Sequence, residues 1–331
     1  MINSKIIGTG SYVPENIVSN IDLEKIVDTN DEWIVSRTGI RERRISKGEG
    51  TADLATKAAL DAINLSGLSV NQIDYIIVAT ITSDTYTPST ASIVQSNIGA
   101  VNASALDINA ACTGFIYALE IGDSLIKSGI AKNILIIGSE TISRIIDWKD
   151  RSTCVLFGDG AGAVVLSLST KDEGIISTLT GSDGTRGNSL IARNIKLDNP
   201  FILDNPFIDL YSDSDSNYIN MNGADVFKFA TKIMEESINN IIAKANIDLK
   251  DIDYIIPHQA NYRILDYVGK KLKIDSSKFI INLDRYGNTS SASIPLALNE
   301  AVKCGKIKKG NNIILVGFGG GLTWGATLIK Y

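Results

Sequence analysis

Two stretches of this chain occur twice at one separation. Ile73-Asp-Tyr-Ile-Ile77 returns as Ile252-Asp-Tyr-Ile-Ile256, and Asn133-Ile-Leu-Ile-Ile-Gly138 returns in altered form as Asn312-Ile-Ile-Leu-Val-Gly317, each 179 residues on. Ala118-Leu119 falls on Ala297-Leu298 at the same offset. One shared apolar pentapeptide is weak evidence, but two pairs in one register point to an internal duplication. Each IDYII segment follows an amphipathic helical pattern, Ala52–Leu65 or Asp225–Ala245, and a short polar turn. β-branched apolar strands alternating with helices predict βαβ units, mostly parallel sheets and helices on both sheet faces. The expected division is into a first half, 1–170, and a second half, 171–331. Between the repeats, Asn188–Asn220 breaks the pattern with Asn199-Pro200, Asn205-Pro206 and a polar Ser212–Asn217 run, which are loop signals.

Composition narrows the class further. The 331 residues are 44% hydrophobic and 21% charged, enough for a large core. A formal charge of −5 and the lack of a basic tract argue against a nucleic-acid surface. No apolar run approaches the ~18 residues of a membrane-spanning helix. The first residues lack a signal-peptide core, so a cytoplasmic protein with reduced thiols is expected. The three cysteines, Cys112, Cys154 and Cys304, have no CxxC spacing, and there is a single histidine. A zinc site is therefore not expected, and any imidazole chemistry rests on His258.

Cys112 sits in Ile108-Asn-Ala-Ala-Cys-Thr-Gly-Phe-Ile, where an apolar segment meets the start of an apolar helix. Taken alone it reads as a small buried residue, as do Cys154 and Cys304. At a helix N-terminus, however, the dipole favours thiolate, the nucleophilic form. His258 follows the strand Ile252–Ile256, the end at which α/β folds place ligands, although a structural histidine would fit there too. Asn288 lies between an expected strand, Phe279–Leu283, and an expected helix, Ala292–Val302, where it could simply cap the helix. Gly317-Phe-Gly-Gly-Gly-Leu-Thr-Trp-Gly325 supplies backbone N–H groups able to hold an oxyanion. It lacks the lysine of a P-loop.

Together, Ala111-Cys-Thr-Gly-Phe, Pro257-His-Gln-Ala-Asn, Gly287-Asn-Thr-Ser-Ser-Ala-Ser and Phe318-Gly-Gly-Gly-Leu-Thr-Trp-Gly resemble the β-ketoacyl-acyl-carrier-protein synthase III family. Gly39-Ile-Arg-Glu-Arg and Phe157-Gly-Asp-Gly-Ala-Gly-Ala extend the resemblance over nearly the whole chain. It implies a duplicated thiolase-like fold with α-β-α-β-α layers, usually a homodimer. It also implies that Cys112 takes an acyl group from acyl-CoA, that His258 and Asn288 stabilise the enolate of decarboxylating malonyl-acyl-carrier-protein, and that the Cys112 and Gly320 N–H groups form the oxyanion hole. By position, Trp33 and Arg151 would sandwich the coenzyme A adenine and Arg37 would meet phosphate. Met221, Gly223, Phe227 and Asn261 would line the pantetheine channel, and Lys228, Arg263, Lys270 and Lys271 would receive the acidic carrier protein. Coenzyme A enters as a thioester substrate; no cofactor or metal is implied, and no nucleic-acid or membrane partner.

The chain departs from the family pattern in two places. Short-chain members have phenylalanine before the proline of Thr87-Pro88, closing the neighbouring subunit's acyl pocket. Thr87 implies a roomier pocket. The Asn188–Asn220 loop is also longer than the usual motif spacing. The nearest rival is a related acyl-CoA condensing enzyme of secondary metabolism, of the starter-unit or quinolone type, which would use the same triad. A papain-like protease shares the order Cys, His, Asn but not the local motif around its cysteine. A non-catalytic acyl-binding protein would have no need of Cys112.

Overall fold

The computed structural model describes residues 3–169, 172–192 and 218–331. The expected boundary at 170/171, and the Asn-Pro steps and polar run of the long loop, lie outside the described residues. Among the described residues nine strands form two central sheets: β1 Asn3–Tyr12, β2 Tyr75–Ala79, β3 Ser104–Ile108, β4 Asn133–Glu140, β5 Gly160–Ser169, β6 Gly174–Ser182, β7 Tyr254–Pro257, β8 Asn312–Gly319 and β9 Thr323–Lys330. The first sheet has the order β1-β5-β4-β2-β3 and the second β7-β8-β9-β6. The helices that matter here are α1 Thr51–Ser66, α2 Gly114–Lys127, α3 Gly223–Ala245, α4 Tyr262–Leu272 and α5 Ser293–Lys303.

Packing arranges these elements in five layers. Phe115, Ile116 and Leu119 of α2 and Ile294, Ala297 and Leu298 of α5 share one core with Ile134 and Ile136 of the first sheet and Ile313 and Leu315 of the second. That core places α2 and α5 between the sheets. Alanines of α1 pack against Ile76, Val78 and Leu135 on the far face of the first sheet. Residues of α3 and α4 cover the far face of the second. Alanine at Ala55, Ala58, Ala59 and Ala62 lets α1 lie close to its sheet, and all four are fully buried.

The duplication is written into the strand register. Tyr75 pairs with Ile134 in β2–β4, and Tyr254 pairs with Ile313 in β7–β8, at the 179-residue offset. The polar locks repeat too. Asp74 accepts from the Asn133 N–H at 2.9 Å, and Asp253 accepts from the Asn312 N–H at 2.8 Å. The Asn133 side chain donates to Gln72 O and that of Asn312 to Asp251 O, both at 2.9 Å. Two left-handed residues complete the correspondence: Ala111 (φ 46°) precedes α2 and Ser290 (φ 51°) precedes α5, again 179 residues apart.

Three sequence expectations change. The sheets are mixed rather than mostly parallel. β2, β3 and β4 run parallel, as do β7 and β8, but β5 and β1, and likewise β9 and β6, are antiparallel additions. The short Gly320–Leu322 turn joining β8 to β9 permits only an antiparallel pair. Second, Phe279–Leu283 is not a strand. Phe279 makes one isolated bridge with Ile255, and Leu283 opens a short helix, Leu283–Tyr286. The Gln259 side chain satisfies this segment instead: Nε2 donates to Ile280 O at 3.1 Å and Oε1 accepts from the Asn282 N–H at 3.0 Å. Third, Cys304 is exposed, because it lies just beyond the last turn of α5; Cys154 is buried as expected.

Candidate active site

Cys112 lies in a short 3-10 turn, Ala111–Thr113, that leads into α2. Its side chain is only 7% exposed. Gly319, at the end of β8, packs against it so closely that an added Cβ would lie 2.8 Å from the Cys112 Cβ and N. Only glycine allows that approach. The N–H groups of Gly320 and Cys112 itself and the Ser290 hydroxyl neighbour the sulfur and favour its ionised form.

Burial decides the resting state of this thiol. The helix dipole and these donors favour thiolate, but loss of water outweighs them, and the pKa is pushed up to about 11. Dipole stabilisation amounts to roughly 0.3–1 kcal/mol, less than the desolvation of a buried anion. The sequence expectation of a dipole-activated thiolate is thus corrected: Cys112 is a thiol at neutral pH and must lose its proton during reaction.

His258 follows β7, and its backbone N–H donates to Val316 O at 2.8 Å. Its Nδ1 is 2.7 Å from Ser293 Oγ, and the Gln259 N–H donates to that same oxygen at 3.5 Å. When the Ser293 hydroxyl donates to Nδ1, the ring carries its proton on Nε2. Burial lowers the His258 pKa to about 3, so the ring is neutral. Asn288 Oδ1 accepts from the Ser290 N–H at 2.9 Å, which orients its amide nitrogen away from the turn. The expected helix-capping role is not observed: Thr289 precedes the short turn and Ala292 precedes α5, neither with a side-chain cap, and the Asn288 bond closes a local turn instead.

Cys112, His258 and Asn288 line one cavity of about 460 Å³. Trp33, Arg37, Met221, Gly223, Phe227 and Asn261 line it as well. Asn261 also caps α4 by accepting from the Arg263 N–H at 2.9 Å. Arg151 is outside this lining, but its guanidinium lies over the Trp33 ring, 5.0 Å from the centroid, and donates to Asp28 O at 3.0 Å. A ring inserted between the two has to move the guanidinium. A second cavity, about 930 Å³, reaches Cys112 from the other side past Ile81, Ile142, Ile145 and Ile219. Thr87 is exposed and does not line this cavity of its own chain.

The four expected docking cations lie on α3 and α4. Arg263, Lys270 and Lys271 border one surface groove with Phe227, and Lys228 is exposed one residue from that phenylalanine. Lys270 pairs with Asp266 at 2.7 Å and Lys271 with Glu235 at 2.8 Å, so part of the positive charge is already matched.

Sequence reasoning missed a buried carboxylate beside the cysteine. Glu140 ends β4 and is fully buried. It accepts from the hydroxyls of Thr80 (3.1 Å) and Thr82 (2.6 Å), from the Ile81 N–H (3.1 Å), and from Ser290 (3.1 Å) and Ser291 (2.9 Å). Gly138, two residues earlier, lets the Ser291 carbonyl come within 2.3 Å of where a Cβ would stand. The available signal was its position, a polar residue closing a duplicated apolar strand.

Two registered halves that meet at a buried cysteine, with histidine and asparagine from the second half, define a condensing enzyme of the thiolase fold. Residues 106–184 match the family model for 3-oxoacyl-[acyl-carrier-protein] synthase III, and residues 242–331 match the model for its C-terminal part. The chain is 58% identical over 330 residues to a β-ketoacyl-[acyl-carrier-protein] synthase III of Clostridium perfringens, covering 100% of both chains. It is 53% identical to the Clostridium tetani protein of the same description, covering 99% of this chain and 98% of that one. The crystal structure of the Aquifex aeolicus 3-oxoacyl-[acyl-carrier-protein] synthase III superposes with a TM-score of 0.91 at 48% identity, covering 99% of this chain and 100% of that one. The chain belongs to the β-ketoacyl-[acyl-carrier-protein] synthase III family, and it is a condensing acyltransferase. Among the described residues no helix is long and apolar enough to cross a membrane.

Proposed function

We propose that this chain joins an acyl-CoA primer to malonyl-acyl-carrier-protein by decarboxylative Claisen condensation, the initiating step of fatty acid synthesis. The observation that carries the reading is the convergence on one cavity of a sulfur beneath two backbone N–H groups and two oriented donors, His258 Nε2 and the Asn288 amide. Cys112 attacks the primer thioester, coenzyme A leaves, and the tetrahedral oxyanion rests on the N–H groups of Cys112 and Gly320. Malonyl-acyl-carrier-protein then loses carbon dioxide, and the enolate oxygen is held by His258 and Asn288. The enolate carbon attacks the acyl-Cys112 carbonyl. The new carbon–carbon bond leaves as a β-ketoacyl-carrier-protein, and the thiol is regenerated.

Turnover with an acyl-CoA and malonyl-acyl-carrier-protein tests the reading: β-ketoacyl-carrier-protein and carbon dioxide form in equal amounts. No product with any acyl-CoA contradicts it. The scheme calls on no cofactor, and the reading extends to a cytoplasmic homodimer in which Thr87 borders the partner's acyl cavity.

Two further outcomes follow from this reading. Trp33 and Arg151 hold the adenine, Arg37 a phosphate, and Met221, Gly223, Phe227 and Asn261 the pantetheine arm. Trp33→Ala then raises KM for acyl-CoA by about tenfold, the loss of one stacking contact of roughly 1.4 kcal/mol, with kcat little changed. Steady-state kinetics at varied acyl-CoA reads this; a fall in kcat at unchanged KM opposes it. The small Thr87 side chain and the apolar lining at Ile81, Ile142 and Ile145 favour longer or branched primers. Such acyl-CoAs turn over at least as well as acetyl-CoA in a competition assay, and a strict acetyl preference contradicts the roomier pocket. For the carrier protein, Lys228 and Arg263 give more of the attraction than the ion-paired Lys270 and Lys271.

A further inference from the structure

A buried thiol with its pKa raised needs somewhere to send its proton when it attacks. His258 is poorly suited to receive it. Its Nδ1 is turned to Ser293, and the enolate-donor role proposed above needs the proton to stay on Nε2. The Ser290 hydroxyl is a neighbour of the sulfur, and both residues border the second cavity. Ser290 donates to Glu140 Oε1 at 3.1 Å. A hydroxyl has one proton, so with that proton on Glu140 its lone pairs are left to accept from the S–H. Ser290 is also held in the left-handed region at φ 51°, a conformation costly for a residue with a side chain. The duplication explains how it got there: Ser290 is the counterpart of Ala111, and two copies of one turn put nucleophile and hydroxyl face to face.

We propose that Glu140, acting through the Ser290 hydroxyl, takes up the Cys112 proton during acylation. As the sulfur bonds to the primer carbonyl carbon, its proton passes to Ser290 Oγ, and the Ser290 proton passes to Glu140 Oε1. When the tetrahedral intermediate collapses, the carbon–sulfur bond to coenzyme A breaks. The relay runs backward and the departing thiolate leaves as a thiol. No proton is gained or lost, and the carboxylate is restored. Hydrogen bonds from Thr80, Ile81, Thr82, Ser290 and Ser291 favour the Glu140 carboxylate, while burial, the larger effect, holds its pKa above the usual carboxylate range and so makes it a better proton acceptor. The relay serves the first half-reaction. The second proceeds from an acylated sulfur that has no proton to lose.

This inference rests on Cys112 being the acyl carrier, and the test separates the two. Acylation by acyl-CoA is followed by rapid quench and intact mass, alongside malonyl-carrier-protein decarboxylation and alkylation of Cys112 by iodoacetamide. Glu140→Gln slows acylation by about 10²-fold, the usual worth of a positioned base. Decarboxylation falls far less, and alkylation at neutral pH slows as well. A purely electrostatic bystander gives the opposite sign, because removing a negative charge near the thiol eases its ionisation and speeds alkylation. Ser290→Ala and Ser290→Gly provide a second arm. Glycine relaxes the backbone at φ 51° yet lacks the hydroxyl, so both variants acylate slowly if the hydroxyl matters. Wild-type acylation in Glu140→Gln, equal losses in both half-reactions, faster alkylation, or normal acylation in Ser290→Gly each overturn the relay. Absence of any acyl adduct on the wild-type protein overturns the Cys112 assignment and the relay with it.

Discussion

Cys112→Ala lowers condensation on the order of 10⁴-fold or more, the scale seen when a covalent nucleophile is removed. Decarboxylation of malonyl-carrier-protein persists in this variant. The two outcomes come from the division of labour in the cavity. The sulfur carries the primer, and nothing else in the site can replace it: Cys154 is buried in a different cluster, and Cys304 is exposed beyond α5. The proposed enolate donors, by contrast, belong to the second half of the chain and are anchored without the thiol, His258 by Ser293 and Asn288 by the Ser290 N–H. Alanine also removes little volume at a packed position, so the fold is retained. A radiolabelled malonyl substrate reads the surviving carbon dioxide release. Loss of both activities together shows instead that Cys112 supports the donors structurally.

His258→Ala produces the complementary pattern. Decarboxylation and condensation each fall by about 10²–10³-fold, the usual cost of one oxyanion donor, while acylation of Cys112 continues. Asn288→Ala falls in the same range, and the double variant costs less than the product of the two because both donors serve one oxygen. A His258→Ala protein that decarboxylates normally contradicts the assigned role. The pH dependence has a definite sign. Burial lowers the pKa of His258 from 6.5 to about 3, so the folded ring stays neutral and donor-competent through the physiological range. Decarboxylation therefore shows no loss attributable to His258 between pH 5 and pH 8. Stability carries the cost. Between pH 6.5 and about 3 only the unfolded chain takes up this proton, so the folded state loses stability as the pH falls through that window. Above pH 6.5 the contribution is flat. Denaturant titrations of wild type and His258→Ala across that range read the difference as a shallower acid slope in the variant.

Much of this architecture was legible in the sequence because the duplication constrains geometry as well as history. The 179-residue offset carries over to strand register, to the Asp74 and Asp253 locks and to the paired left-handed residues Ala111 and Ser290. The convergence of Cys112, His258 and Asn288 on one cavity was legible for a related reason: each closes or opens an element whose apolar pattern is strong, and the family motifs mark those junctions. What could not be read depends on contacts between distant segments. Phe279–Leu283 has the composition of a strand, yet one buried amide, Gln259, takes over its backbone partners. Antiparallel β5 and β9 join sheets whose nucleus is parallel, which local patterning does not reveal. The thiol state turned on a balance of burial against the helix dipole, and burial is a property of the folded chain. Glu140 belongs to the same class. Its donors come from 80–82 and 290–291, and only folding brings them to one carboxylate.

The central claim is that Cys112 carries the primer as a thioester between the two half-reactions. Intact-mass measurement after mixing the protein with an acyl-CoA alone tests it most directly. One acyl group adds per chain, Cys112→Ala takes up none, and malonyl-acyl-carrier-protein discharges the adduct as β-ketoacyl-carrier-protein. An adduct that persists in Cys112→Ala, or a wild-type chain that condenses without ever holding the acyl group, contradicts the account.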